Sequence, residues 1–471
     1  MWNNKITDYF IISVIASFLF LWGLPATIGL NFDSRSVLIL IAPFIIKKII
    51  EDWKLKNFYF LYLFLTITIF LIFHGLLLSE TINFKFFLSI SFFLYLFVAM
   101  YYYHNLVLEY KKSLIFFFIF VFFISIFVTY FTGFASNPEP VSCGAIKNYL
   151  PGKNDINSNY FALHFISSYE FLFQENSHFA MAAVPVILFS LFLIYEKRIS
   201  ALLSIIIYIF LFISILKMSA TLISGLLISS LALIIFEYKR INYFLSIILL
   251  LLSLILTYIF FQDVICLQKI NPKIENTNML DRNSLAGSLF LKIDQNFNTN
   301  FMEQKSDQNF DSKDLNNNKI KTYNLDGRIL TNETGSTTSA VFFHALNITF
   351  YAFLEKPFGW GFQRYEDAFL KYNLNNSNIP IDAIYKFNSQ DGTNNFFKII
   401  TEFGIFGFIL YLIIVFSLIS KKISLENKFF LFPFLITQSL RGVGYFNAGF
   451  VLILLILLFL QFKKESTVLN R

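Results

Sequence analysis

The chain has 471 residues, of which 56% are hydrophobic and only 14% charged, and its formal net charge is +7. Soluble domains carry about a quarter charged residues, so much of this surface has no water to face and an ordinary soluble domain is excluded. Basic residues held on the cytoplasmic side of a membrane explain the positive balance, and no nucleic-acid partner is expected.

Apolar stretches of near-spanning length fall at about 9–30, 36–50, 57–79, 83–103, 113–134, 178–195, 199–216, 220–237, 243–262, 403–420, 429–442 and 446–462. The fold class expected is therefore all-α, a polytopic membrane protein of about twelve transmembrane helices. The first run follows Met1 to Phe10, which contains Asp8, and is too long for a cleaved signal segment. It reads as a retained span. The 64 Phe and 24 Tyr accompany Ile, Asn and Lys, all encoded by AT-rich codons, and no aromatic binding stripe is read from them.

Sidedness tests the span list independently. Numbered alternately, the connections on one side receive Lys5, Lys47, Lys48, Lys54, Lys56, Lys111, Lys112, Lys197, Arg198, Lys239, Arg240, Lys421, Lys422, Lys428, Lys463, Lys464 and Arg471. The other short connections hold only Arg35, Lys85, Lys147, Lys153, Lys217 and Arg441, so the division is 17 basic residues against 6. The positive-inside rule then supports twelve spans with both termini in the cytoplasm.

Three regions follow. Residues 1–262 carry spans one to nine, with an outer connection at about 135–177; residues 263–395 form a large outer loop; residues 396–471 carry the last three spans. The first half of the large loop is rich in Asn, Asp, Lys and Ser, a composition that favours disorder. From about Ser336 its character changes, and the run Val341 to Tyr351 predicts an amphipathic helix at the membrane interface. Cys143 and Cys266 fall one in each long outer connection, where a disulfide and two separate thiols are both open. Cys and His at metal-ligand spacing are absent, and no metal is expected.

The spans are almost free of ionisable residues, which disfavours an ion-coupled transporter. Charged residues collect instead at the outer ends of spans. Lys217 lies in the tight turn Leu216 to Thr221, where it could hold a phosphate beside hydroxyl donors or simply snorkel to the interface. Glu175-Asn176-Ser177-His178 precedes the sixth span and offers two groups suited to general-base work as well as ordinary helix caps. Arg441 ends the eleventh span in Ser439 to Gly444. In the large loop, Asp326-Gly327-Arg328 precedes the amphipathic helix. Further on, Glu355 to Tyr365 combines turn glycines with Trp360 and Arg364, a turn whose backbone N–H groups could line an anion or sugar site.

Three segments resemble the O-antigen polymerase and ligase superfamily of bacterial envelope polysaccharide assembly. Glu355-Lys356-Pro357-Phe358-Gly359-Trp360-Gly361-Phe362 is similar to that family's glycine turn after an amphipathic helix. Asn394-Asn395-Phe396 through Glu402-Phe403-Gly404-Ile405-Phe406-Gly407 resembles the segment leading into the span after the large loop. Glu175-Asn176-Ser177-His178-Phe179-Ala180 is similar to a motif before a middle span of the polymerases. The layout of spans and the late outer loop agree.

The resemblance implies glycosyl transfer on the periplasmic face from an undecaprenyl-pyrophosphate-linked oligosaccharide in the lipid bilayer, without a cofactor. It implies bases among Glu175, His178 and His344, and pyrophosphate-binding cations among Lys217, Arg328, Arg364 and Arg441. A chain-length regulator is a further partner it allows. Ligases of the family carry a His before the Asn of the second motif; here Thr393 stands there, which favours a polymerase joining repeat units. A ligase acting on lipid A–core is the alternative, and a lipid-linked oligosaccharide flippase a more distant one, since no internal repeat is seen. The second half of the large loop is expected to close over the outer span ends.

Overall fold

A computed structural model describes residues 4–21, 34–54, 59–78, 84–132, 176–216, 219–237, 239–241, 254–255, 337–373, 389–442 and 444–462. The described residues are mostly helical, with no strand. Helix α1 spans Asn4–Phe20. A 3-10 segment, Ser34–Ile41, runs into α2, Ala42–Lys54. Helices α3 (Tyr59–Leu78), α4 (Phe84–Glu109) and α5 (Lys111–Thr132) follow. Next come α6 (Asn176–Tyr195), α7 (Ala201–Leu216) and α8 (Ala220–Glu237). After them lie α9 (Thr337–Glu355), α10 (Tyr365–Asn373), α11 (Asn395–Phe403), α12 (Ile405–Ile419), α13 (Leu425–Leu440) and α14 (Phe450–Phe462).

Two of these are long and apolar enough to cross a membrane, Phe86–Glu109 and His178–Tyr195, and five shorter apolar helices accompany them. The ninth expected span, at about 243–262, lies almost entirely outside the described residues. So do Cys143, Cys266 and the first half of the large loop.

The centre is the trio α6, α8 and α13, each packed on the other two. Helix α13 runs antiparallel to α6: Phe192 meets Phe429 at 4.8 Å between ring centroids, and Phe189 meets Phe430 at 5.6 Å. Gly225 of α8 lets the helices close in, for a Cβ there would lie 3.0 Å from Thr437 and 3.1 Å from Val184. Small residues at such contacts are how apolar helices pack where no hydrophobic drive separates them from their surroundings.

One end of the bundle is a charge cluster. Glu426, at the start of α13, pairs with Arg198 at 2.5 Å and Lys111 at 3.2 Å. Lys428 pairs with Glu237 at the end of α8 and donates to the Leu418 carbonyl at 2.6 Å. Arg240 reaches Glu237 at 3.3 Å and the Ile423 carbonyl at 3.4 Å. Lys111, Arg198, Arg240 and Lys428 were all assigned to one side by the alternation of basic connections, and here they share one end.

Asn395–Phe403 is a separate short helix ahead of α12, which covers Ile405–Ile419 within the apolar stretch expected at about 403–420. Asn394 caps it, its side chain accepting the Phe397 N–H at 2.8 Å, and Gly404 at φ 55° ends it. With ψ at −127°, this is a backbone conformation that glycine alone adopts readily. The expected helix at Val341–Tyr351 is present as the longer α9. It packs on α11 through the Thr401–Thr349 hydroxyl bond at 3.1 Å and the Phe342–Phe397 ring contact at 4.9 Å.

Candidate functional site

Opposite the charge cluster, the glycine turn 356–363 docks on the α11–α12 junction. The Trp360 and Gly361 N–H groups donate to the carbonyls of Thr401 and Glu402, each at 3.0 Å. In return, the Ile405 N–H donates to the Pro357 carbonyl at 2.9 Å. The approach leaves no room for side chains: a Cβ on Gly359 (φ 100°) would sit 2.2 Å from the Glu402 carbonyl, and one on Gly404 2.0 Å from that of Pro357. This corrects the reading of the turn as an anion or sugar nest. The Trp360 and Gly361 N–H groups are taken by α11 and that of Gly359 by the Lys356 carbonyl, because a buried donor must find a partner and the last turn of a helix supplies carbonyls.

Glu402 holds the assembly together. Its carboxylate accepts the Gln363 N–H at 2.9 Å, the Tyr365 N–H at 3.2 Å and the Tyr445 hydroxyl at 2.6 Å. It thereby caps the start of α10, where helical N–H groups lack internal partners. Burial pushes this carboxyl above its usual range, while Lys398, Tyr445 and the two backbone donors pull the other way. Three donors facing its oxygens fit the ionised form. Burial and Glu402 together push the Tyr445 hydroxyl well above its usual value, so it stays protonated and donates. Lys398, one turn before Glu402, is buried; it donates to the Gln390 carbonyl at 2.6 Å and lies 5.0 Å over the Tyr445 ring.

His74 of α3 ties a second helix to the turn. Its Nε2 lies 3.0 Å from the Phe358 carbonyl, and its ring stacks on Phe403 at 5.1 Å. Since a carbonyl only accepts, Nε2 carries the proton.

The α13–α14 connection completes this end. The Gly442 N–H donates to the Thr393 carbonyl at 3.1 Å, and Gly442 touches Asn395 so closely that a Cβ would be 2.8 Å from its Oδ1. Three non-glycine residues with positive φ surround the region: Gln363 (63°), Thr393 (65°) and Ala448 (49°). Such conformations cost energy and persist where neighbours enforce them.

Of the residues expected in the site, His178 and Arg441 come to the same level. The antiparallel register of α6 and α13 is set by Phe192–Phe429, Phe189–Phe430 and the Val184–Gly225–Thr437 notch; continued along both helices, it puts the start of α6, with His178, at about the level of the end of α13, with Arg441. The register of α8 on α13, from Glu237–Lys428 to Gly225–Thr437, brings buried Thr221 to that level too. Two helix N-termini and a guanidinium at one level suit an anionic group.

Arg364 is elsewhere in this end, at the start of α10, paired with Asp367 at 3.0 Å. His344 lies on the α10 side of α9, its ring edge-on to Phe369 at 5.6 Å. Glu175, Lys217 and Arg328 lie outside the described residues. Glu402, Lys398, Tyr445, Asn395 and His74 were not singled out as site residues, although Lys398 and Glu402 stand four apart on one helix face, which is a readable signal. No family model matches the chain, and neither a curated protein nor a solved structure matches it significantly.

Proposed function

We propose that the chain is a polytopic inner-membrane glycosyltransferase of the O-antigen polymerase kind, with about twelve spans and both termini cytoplasmic. It joins undecaprenyl-pyrophosphate-linked repeat units on the periplasmic face. The reading is supported by the antiparallel register of α6 and α13, which, continued, brings the helix ends that carry His178 and Arg441 to one level, at the end of the bundle opposite the basic cluster. Exposed apolar side chains along α7 and α12, among them Leu202, Phe212, Leu412 and Phe416, fit a lipid surrounding, since water rarely faces so large an apolar surface.

In this mechanism the acceptor sugar hydroxyl attacks the anomeric carbon of the donor. The C–O bond to the pyrophosphate breaks, the pyrophosphate leaves with the electron pair, and the hydroxyl proton passes to a base, His178 or Glu175. Arg441, with Lys217, Arg328 or Arg364, stabilises the charge that grows on the leaving group. His344 is the remaining base candidate. A ligase would perform the same chemistry with lipid A–core as acceptor. Thr393, which stands where the ligases carry His, favours the polymerase.

Deleting the protein separates the readings. Loss of a polymerase leaves lipopolysaccharide capped with a single repeat. Loss of a ligase leaves none, with polymer accumulating on the carrier lipid. Normal polysaccharide in the deletion strain overturns the proposal.

A further inference from the structure

The α11 N-terminus holds polar groups that the fold does not use. Asn395 is fully buried, and neither its Nδ2 nor its Oδ1 has a hydrogen-bond partner. The neighbouring Asn394 spends its Oδ1 on the helix cap and leaves a buried Nδ2 unpartnered. Gln438, one turn before Arg441, gives its Nε2 to the Ala448 carbonyl at 2.7 Å and leaves a buried Oε1 unpartnered. A buried carboxamide without partners carries a desolvation cost that a packing role does not repay. Leucine would fill the Asn395 position without that cost, so the amide points to a ligand.

The chemistry of that ligand follows from the groups. A carboxamide offers two donors and an acceptor but no charge, which matches the mixed donor and acceptor character of neutral sugar hydroxyls. The Asn395 amide lies against Gly442, immediately beside the partly exposed Arg441. A ligand whose anion meets Arg441 would therefore present its adjoining neutral portion to Asn395.

We propose that Asn394 and Asn395 form a hydroxyl-reading subsite for the sugar next to the anionic linkage, a reading that rests on the function proposed above. Asn395 supplies both ends of its amide, and Asn394 adds one donor. Gly442, which has no side chain, lies between the Asn395 amide and Arg441.

Binding by the full-length protein in nanodiscs tests this. The probes are undecaprenyl pyrophosphate, bare or carrying N-acetylglucosamine or galactose. Wild type should hold a sugar-bearing lipid about tenfold more tightly than the bare one, the increment of one or two hydrogen bonds to otherwise unsatisfied groups. Asn395→Leu and Asn395→Ala should lose that increment and keep the bare lipid, whereas Arg441→Ala should weaken all probes. Both Asn395 variants should stay folded without ligand, because no partner in the fold is lost. Failure of both to fold would mean a structural role and overturn the subsite. So would an increment that survives in them, or equal wild-type affinity for bare and sugar-bearing lipids, while the function reading stands. Wild type binding none of the lipids would overturn both.

Discussion

The Glu402 carboxylate accepts the Tyr445 hydroxyl at 2.6 Å, joining α11 to the α13–α14 connection, while its other bonds join α11 to the start of α10. One side chain thus fastens three segments at the end of the bundle that carries the candidate site. Glu402→Gln replaces one acceptor oxygen with a donor facing donors. It should cost about 1–3 kcal/mol, and Tyr445→Phe about 1 kcal/mol. Thermal unfolding in a defined lipid mixture measures both, and a Glu402→Gln protein as stable as wild type would show that the carboxylate is not the fastener.

Gly359 and Gly404 should tolerate no side chain. Each has positive φ, and in each case the added Cβ would meet backbone carbonyl oxygen rather than a movable side chain. Gly404→Ala and Gly359→Ala should each lose about 1–3 kcal/mol from backbone strain alone, with the collision adding to it. Folded yield from matched membranes gives the readout; wild-type yield from both would contradict the docking of the turn.

At the opposite end, Lys428 and Glu237 are 0% and 3% exposed. Lys428→Met should destabilise by about 3–5 kcal/mol, because it leaves Glu237 buried without its main cation. The double variant Glu237→Leu/Lys428→Met should recover most of that loss, since paired buried charges are replaceable by apolar groups. A double variant worse than the single one would mean that Arg240 and the Ile423 carbonyl depend on Glu237 more than Lys428 does.

Glu355 joins α9 to α10 through Lys371, at 2.5 Å, and Tyr372. Those two hydrogen bonds hold its carboxyl below the usual 4.5. A lowered folded value means stability that is present above the ordinary carboxylate range and lost as pH falls through the folded value. The pair is half exposed, so the effect should be about 0–1 kcal/mol. The stability advantage of wild type over Glu355→Gln should shrink as pH falls below the usual carboxylate value of 4.5; an advantage that grows with acidification would contradict the assigned direction.

Much of the coarse organisation was legible because periodicity and charge are local signals. The Val341–Tyr351 run marked α9, and the basic pairs Lys197-Arg198 and Lys239-Arg240 marked one end of the bundle. Arg441 was legible as a lone cation closing a helix. The partners of Glu402 were not legible, for they lie 39 residues before and 43 after it, and no local pattern links such positions. The glycine turn misled for the same reason: its N–H groups looked free because the carbonyls that take them, on Thr401 and Glu402, are some forty residues away.

Chain growth by the full-length protein, reconstituted in liposomes with an undecaprenyl-pyrophosphate-linked repeat unit, tests the proposed site most directly. Wild type should convert the repeat unit into a ladder of longer products. Arg441→Ala and His178→Ala should lose the ladder by about a hundredfold or more while remaining folded and membrane-bound. A wild-type protein that forms no product, or an Arg441→Ala protein that polymerises at the wild-type rate, would contradict the proposal.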